Sequence, residues 1–430
     1  MRSSVIKNKI INKKARIAVI GLGYVGLPLA LAFAEKGFKV LGIDTDAQRV
    51  ARIKNLESYI TDVSSALIAR VIRQGFFDVS TDFNLLSQVD VVIICVPTPL
   101  KRKYTPDISY ILSAVKSVAK QLHKGMLVVL ESTTYPGTTQ ELIKPELEKS
   151  GLQAGKDFYV AFSPERIDPG NKHFEVTAIP KVVGGLTKTC TELTGLLYRQ
   201  IIRQVHQVSS CEAAEMTKLL ENSFRIVNIG WINEIAQMCH ALNIDVWEVI
   251  DAAKTKPFGF MPFYPGLGVG GHCIPEDPLY LYWKAKHFHF SCKFIKLAAD
   301  TNAQMPAYAV SRLRELLGKS FKNARVLVLG VTYKKDVKDL RKSPSLRLME
   351  LLKKDLRVDY YDPMIPFLKY GEMDQKSIDL TAANVKRYDV VLVAVDHTAV
   401  NYDLVLKNAR LIFDVRNIYK GTSHQKIVKL

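Results

Sequence analysis

Short unbroken apolar runs alternate along the first third of the chain with stretches whose apolar positions recur at a helical period. Ile17 to Ile20 form the first run, a glycine turn follows, and an apolar helical stretch extends from Leu27 to Lys36. Gly37 ends that stretch, and a second run, Lys39 to Ile43, closes on Asp44. VDVVIICVPTP (89–99) and GMLVVLESTTYPGTT (125–139) repeat the strand-like run, each ending in Pro and Thr. Continuous apolar runs bounded by turn residues read as strands buried on both faces, and their alternation with helices reads as a parallel, doubly wound sheet. From about residue 209 the period changes. EAAEMTKLLENSFRIVNIGWINEIAQMCHALNI keeps a period near 3.6 over some thirty residues, which predicts one long helix.

A degenerate second copy begins at ARVLVLG (324–330), which aligns with ARIAVIG, while VDYYD aligns with VLGID and DVVLVAVDH (389–397) with DVVIICVPT. The expected fold is therefore α/β: two Rossmann-like doubly wound lobes joined by a central helical domain with a long spine helix. The expected boundaries are a first lobe at 1–208, a helical and dimerising domain at 209–318, and a second lobe at 319–430.

Composition changes this picture little. The chain has 430 residues, 48% apolar and 24% charged, ordinary for a globular protein of two or three domains. No run approaches the ~18 apolar residues of a membrane span, and the basic start MRSSVIKNKIINKKAR reads as a short tail rather than a signal. Six cysteines without CxxC or metal-like spacing read as reduced thiols of a cytoplasmic protein, with no metal site. The net charge of +18 is dispersed. No basic block is interleaved with aromatics, so nucleic acid is not an expected partner, nor is membrane insertion.

The first glycine turn carries chemistry. Gly21-Leu-Gly23-Tyr24-Val25-Gly26 lies between strand and helix, with an acid 18 residues after the third glycine, the context a dinucleotide fingerprint requires. Gly21 permits the turn, Gly23 lets a pyrophosphate touch backbone, and Gly26 lets the helix pack on the sheet. The helix start then faces the phosphates. Asp44 can accept both hydroxyls of an adenosine ribose and would repel a 2′-phosphate, so the expected cofactor is NAD. Tyr24, Val25 and Arg49 complete the expected grip, and Pro97, Thr98 and Thr133, at strand ends, would flank the nicotinamide. In the second copy nine more residues separate Gly330 from Asp362 than separate Gly21 from Asp44, and the fingerprint is replaced by Tyr333, Lys334, Lys335, Asp339, Arg341 and Ser343-Pro344. Such a loop suits a differently shaped anion, such as a second nucleotide.

Gly266-Leu-Gly-Val-Gly-Gly-His-Cys273 places four glycines in six residues ahead of one thiol. Glycine is costly to order, so four of them suggest that a substrate approaches this backbone closely, although taken alone the stretch is equally a surface turn beside a structural cysteine. Beside a dinucleotide site, a thiol can trap an aldehyde as a thiohemiacetal, allow a second hydride transfer and leave a thioester for water to cleave. That chemistry needs a base, donors for an oxyanion and a carboxylate to direct water. Lys218 and Asn222, at i and i+4, supply a cation and an amide on one helix face. Glu165, in AFSPERIDPG, supplies the carboxylate, and Asp277 lies four residues after Cys273.

GLGYVGLP, VPTP, STTYPGTT, SPERIDPG, EMTKLLENSFR, GVGGHCIPEDP and TYKKDVKDLRKSP occur in that order across nearly the whole chain. In this the sequence resembles the UDP-glucose/UDP-N-acetylhexosamine 6-dehydrogenase family. The resemblance implies oxidation of a sugar C6 alcohol to the uronic acid with two NAD per sugar, and the long helix, a natural dimer surface, predicts a homodimer or higher homo-oligomer. It also implies roles: Cys273 as nucleophile, Lys218 and Asn222 at the oxyanion with Lys218 also an acid/base, and Glu165 for thioester hydrolysis. Asp277 would support the cysteine and a water, and Thr133 would lie near the nicotinamide and that water. Arg166 and Gly270 are expected at the sugar. Lys334 and Arg341 fall in the UDP loop, Arg341 alternatively reaching the cofactor or a neighbouring subunit.

Three departures bear on the sugar. Many UDP-glucose members carry Lys where this chain has Glu276, an arginine shortly before the glycine loop where it reads FMPFYPG, and a second glutamate where Pro169 stands. GHCIPEDPLYL, SPERIDPG and ESTTYPGTT resemble instead the N-acetylhexosamine branch, with UDP-N-acetylglucosamine favoured over its galacto and manno epimers. UDP-glucose 6-dehydrogenase is the nearest alternative, and a single-step hydroxyacid dehydrogenase a distant one. The uronate would serve surface polysaccharide synthesis, such as capsule or O-antigen.

Overall fold

The computed structural model describes residues 2–60, 63–101, 104–166 and 178–430. Pro169, and with it the end of SPERIDPG, lies outside them. The chain forms two compact units, Met1–Glu221 with Trp283–Phe290, and Asn222–Tyr282 with Ser291–Leu430.

The first unit is built on eight strands: β1 (Arg16–Ile20), β2 (Lys39–Ile43), β3 (Phe77–Ser80), β4 (Val91–Ile94), β5 (Leu127–Leu130), β6 (Tyr159–Phe162), β7 (Lys181–Gly185) and β8 (Val205–Gln207). Their order is β3-β2-β1-β4-β5-β6-β7-β8. All neighbours are parallel except β6 and β7, which run antiparallel. The order reverses at β1/β4, the switch point beyond which a doubly wound sheet binds its ligand. Successive strand residues feed opposite core layers: Ile17 and Val19 join Phe33 and Phe38, while Ala18 and Ile20 join Val92, Val128 and Phe162. Both faces are covered, which is why these strands read as unbroken apolar runs.

The basic N-terminus differs from the expected tail. Arg2–Ile11 is a helix whose Ile6 and Ile10 are buried in the lobe's core, with Lys9 donating to Asp90. Isoleucines four apart on one helix face supply the burial that holds it.

The second unit contains β9 (Arg325–Leu329), β10 (Arg357–Tyr361), a β11 (Phe367–Tyr370)/β12 (Met373–Lys376) hairpin, β13 (Val390–Val393), β14 (Ile412–Asp414) and β15 (Ile427–Lys429). The parallel order β10-β9-β13-β14-β15 repeats the centre of the first sheet, β9 pairing β10 and β13 as β1 pairs β2 and β4. The duplication seen in the sequence is thus a duplication of topology. The long helix, Cys211–Ala241, runs 31 residues, and Lys293–Leu317 is a second long helix.

Candidate active site

In the first unit the turn after β1 has the form a dinucleotide needs. Gly21 has φ +91°, and a Cβ there would lie 2.6 Å from the Cys95 carbonyl oxygen. A Cβ at Gly26 would collide with the Gly21 carbonyl, and one at Gly23 would meet nothing within 4 Å. The first and third glycines are therefore required by the protein's own packing, while the space over Gly23 is open to a ligand. The helix Gly26–Glu35 starts at this turn. Asp44 is buried, accepting from the Leu22 N–H at 2.8 Å and the Asp46 N–H at 2.9 Å, with Arg49 Nη1 at 3.3 Å. A carboxylate fixed beside a glycine turn and a helix start fits the ribose and pyrophosphate of NAD. Tyr24 is exposed, Val25 half-buried, and Pro97 and Thr98 follow β4, with Thr98 buried.

At the same sheet edge, Ser132–Thr139 follows β5. Glu215 is fully buried and accepts from the Gly137 N–H (2.6 Å), the Thr139 N–H (2.9 Å) and the Thr139 hydroxyl (2.7 Å), clamping the loop that carries half-buried Thr133. Burial pushes the Glu215 carboxyl up to about 7, against the pull of those donors. Tyr135 packs on Trp283 at 4.9 Å between ring centroids, and Lys284 pairs with Glu141 at 2.7 Å. Lys218 is buried, and among the described residues its ammonium has no hydrogen-bond or ion-pair partner. Glu215, Lys218 and Asn222 are spaced three and four apart, so the long helix presents all three on one buried face. The same period that singles out Lys218 and Asn222 could have found Glu215.

Glu165, just beyond β6, is buried beside Lys181, the first residue of β7, whose Nζ lies 3.6 Å away. Lys181 also pairs with Glu131, just beyond β5, and the Tyr198 hydroxyl donates to the same carboxylate. Arg166 is paired with Glu221 at 2.6 Å and donates to the Pro180 carbonyl. Lys181, Glu131 and Tyr198 escaped sequence reasoning, since each resembles a core or surface residue until the strand order converges them.

In the second unit, Cys273 is exposed and is the first residue of the helix Cys273–Lys286. A helix start favours a thiolate there. Asp277 lies one turn on and is buried, and its Oδ2 accepts from Asn222 Nδ2 at 2.5 Å. Arg225 donates to the Asn222 carbonyl oxygen, so both ends of that amide are held. Asn222, Asp277 and Arg225 thus form one bonded set.

The glycine loop is packed closely on the chain itself. A Cβ at Gly270 would lie 2.7 Å from Tyr333 Cβ and 2.8 Å from the Lys342 carbonyl, and one at Gly271 (φ +84°) 2.7 Å from the Tyr333 ring. Gly268 is pressed on the Asn302 carbonyl, and the Gly271 N–H donates to the Arg341 carbonyl at 2.9 Å. The bare backbone seats the Cys273 loop on the 333–344 loop. Glu276, buried, ties the two further through Lys342 at 2.5 Å and His272 at 3.6 Å. In that loop the Arg341 guanidinium lies on Asp339, its Nη2 at 2.6 Å, while Lys334 is half-buried and its carbonyl accepts from Thr332.

A Rossmann lobe with this fixed acid and open glycine turn, a second Rossmann-like lobe, and a thiol at a helix start define an NAD-dependent oxidoreductase of nucleotide-linked substrates. The chain belongs to the UDP-glucose/GDP-mannose dehydrogenase family. Residues 15–202 match its NAD binding domain, 212–304 its central domain and 327–421 its UDP binding domain. It is 38% identical over 397 residues to a UDP-N-acetyl-D-glucosamine 6-dehydrogenase of Pseudomonas aeruginosa, covering 90% of this chain and 91% of that one. It is 37% identical over 420 residues to Protein CapL of Staphylococcus aureus, covering 94% and 96%. The solved structure of a UDP-D-ManNAc dehydrogenase from Pyrococcus horikoshii superposes with a TM-score of 0.86 at 35% identity, covering 96% of this chain and 98% of that chain. The protein is an NAD-dependent UDP-sugar dehydrogenase. No helix among the described residues is long and apolar enough to cross a membrane.

Proposed function

We propose that the enzyme oxidises the C6 alcohol of a UDP-N-acetylhexosamine to the uronic acid in two steps, through a thiohemiacetal and a thioester on Cys273. The observation that carries this reading is the exposed thiol at a helix start, one turn from an Asp277 bonded to Asn222. Bound NAD supplies the hydride acceptor for each oxidation, held by Gly21, Gly23, Gly26, Tyr24, Val25, Asp44 and Arg49, with Pro97, Thr98 and Thr133 toward its reactive end. Cys273 adds to the aldehyde carbon as a thiolate. Lys218, a buried cation, and Asn222, an amide oriented by Asp277 and Arg225, stabilise the oxyanion of each tetrahedral species. Lys218 also exchanges the alcohol proton. Glu165 takes a proton from the water that attacks the thioester, and the Cys273 thiolate leaves. Arg166 and Gly270 approach the sugar, and Lys334 and Arg341 the UDP phosphates.

UDP-N-acetylglucosamine is the first substrate of this reading, supported by the acetamido-branch motifs and the P. aeruginosa relative. UDP-N-acetylmannosamine is the second, supported by the P. horikoshii structure. The three-part division at 1–208, 209–318 and 319–430 assigns cofactor, dimerisation with the thiol loop, and UDP. Met216, Leu220, Phe224, Trp231 and Met238 are exposed along the long helix and supply an apolar stripe for a homodimer. A cytoplasmic enzyme providing a uronate for capsule-like polysaccharide fits the CapL relative. The test is NADH released per sugar, with UDP-GlcNAc, UDP-ManNAc, UDP-GalNAc and UDP-glucose offered separately. Two NADH from an acetamido sugar is expected. One NADH per sugar would remove the role given to Cys273, and activity on UDP-glucose alone would overturn the branch.

A further inference from the structure

Lys181 begins β7, which runs antiparallel to β6. Ala161 pairs with Gly185 and Phe162 with Gly184 across β6 and β7. Continuing that register by three residues sets Glu165 opposite Lys181. A parallel β7 would have put its first residue at the far edge of the sheet. The reversal brings that residue to the edge where β5 and β6 end, and there its ammonium meets two carboxylates. Lys181 is 8% exposed, Glu131 0% and Glu165 11% at the side chain. One cation between two buried carboxylates leaves a net negative charge in a poorly solvated site, and such a cluster shares its protons.

The geometry points to Lys181 as the positioning residue of Glu165: its ammonium, anchored by Glu131 and Tyr198, holds Glu165 in place and ionised to act as the base of thioester hydrolysis. This rests on the role proposed above for Glu165. In the step concerned, water oxygen bonds the thioester carbon and the carbon–sulfur bond breaks with its electrons on Cys273. The water proton passes to Glu165. A carboxylate held against an ammonium stays available for that proton, whereas a buried one without it would enter the step already protonated.

Four titratable groups among the described residues face the ammonium. Glu131 comes from the end of β5, Glu165 from the end of β6, Cys95 from the end of β4, and Tyr198 from the helix Lys188–Tyr198. The Tyr198 ring lies under Lys181 at 5.2 Å. Burial pushes the Glu131 carboxyl up to about 7, with Glu165 adding to the rise and Lys181 opposing it. Burial likewise raises the Cys95 thiol and the Tyr198 phenol, so both stay neutral. Glu131 and Glu165 therefore compete for one cation, and changing either end of the competition must move the other.

The test follows acyl-Cys273 decay by mass spectrometry, from pH 5 to 9, in the full-length enzyme with NAD and its best UDP-sugar. Lys181→Met is expected to move the acid limb of the hydrolysis rate to higher pH, a rise of about one pK, which slows decay roughly tenfold at any pH below both limbs. Glu131→Gln frees the ammonium for Glu165 and is expected to move the limb to lower pH. Lys181→Arg is expected to restore it. Opposite shifts mark a charge effect, because a merely structural loss would lower the rate without moving the limb in two directions. Limbs that stay in place, or move together, overturn the inference. If Lys181→Met does not fold, Glu131→Gln decides alone, an unmoved limb again counting against it. Glu165→Gln runs in parallel: if its acyl-enzyme decays as in the parent, the role of Glu165 fails and the inference with it.

Discussion

Cys273 illustrates what a single residue's neighbours add to its chemistry. Five other cysteines are half-buried or buried, while this one is exposed at a helix start. The enzyme with Cys273→Ala should fold and bind NAD yet form no uronate, with NADH at or below one per sugar. Full uronate yield from that variant would remove covalent catalysis. Cys273, Lys218, Asn222, Glu165 and Asp277 were legible because the chemistry demands such residue types and the motifs carry them in order. Lys181 was not, because a lysine opening an apolar strand is an ordinary strand edge until an antiparallel register turns it inward. His397 was also hidden. It is fully buried, and its Nε2 lies 3.1 Å from Asp362 and 3.0 Å from Thr332 Oγ1, while its Nδ1 accepts from the Asp336 N–H. Asp362 accepts from the Val331 N–H as Asp44 accepts from Leu22. Burial would raise the Asp362 carboxyl, but the His397 and Val331 donors outweigh it and hold it below the usual range. In the second lobe a histidine thus caps the acid whose counterpart in the first, Asp44, is proposed to face the cofactor.

At the scale of elements, the glycine turn after β1 separates two duties that its fingerprint merges. Gly26→Ala forces a Cβ into the Gly21 carbonyl and is expected to cost about 3 kcal/mol of stability, at the upper end of overpacking changes. Gly23→Ala meets no protein atom within 4 Å, so its melting temperature should stay near that of the parent. Its methyl would occupy the space open to the pyrophosphate, and NAD should bind at least tenfold more weakly, about 1.4 kcal/mol. Calorimetric titration with NAD beside thermal melts separates the two. Undiminished affinity in Gly23→Ala would show that the cofactor does not approach that backbone. The strand–turn–helix arrangement was readable because both strand faces are covered, leaving an unbroken apolar signal. The Gly266–Gly271 loop was readable as a place of close approach, but its partner was not. Sequence spacing shows that a backbone is bare and leaves open whether a ligand or a loop 60–70 residues away presses on it. The N-terminal helix was missed for a related reason, since only two isoleucines in a basic stretch carry its burial.

Across the whole molecule, buried carboxyls set how stability responds to pH. Burial holds both Glu131 and Glu215 near 7 in the folded chain against an ordinary 4.5. Between those values the native state binds more protons than the unfolded one, so stability falls as pH rises. Two histidines act in the opposite sense at lower pH. Burial lowers both His240 and His272 below 6.5, and their contribution is complete above that value. Asp362, held below 3.8, is ionised in both states well before neutrality. The window from pH 6.5 to 8 therefore isolates the two glutamates. Linkage gives a loss of about 1–2 kcal/mol across it for the pair. Cys95 and Cys211, both raised by burial, add a loss of the same sign toward pH 9. Urea unfolding at pH 6.5, 7.25 and 8 should show the decline, and Glu215→Gln should make it shallower by keeping the Ser132–Thr139 clamp uncharged at every pH. A stability that rises through this window would mean that both carboxylates are ionised in the folded chain well below neutrality. The ammonium of Lys181 would then have two full charges to hold, and Glu131 could no longer yield it to Glu165.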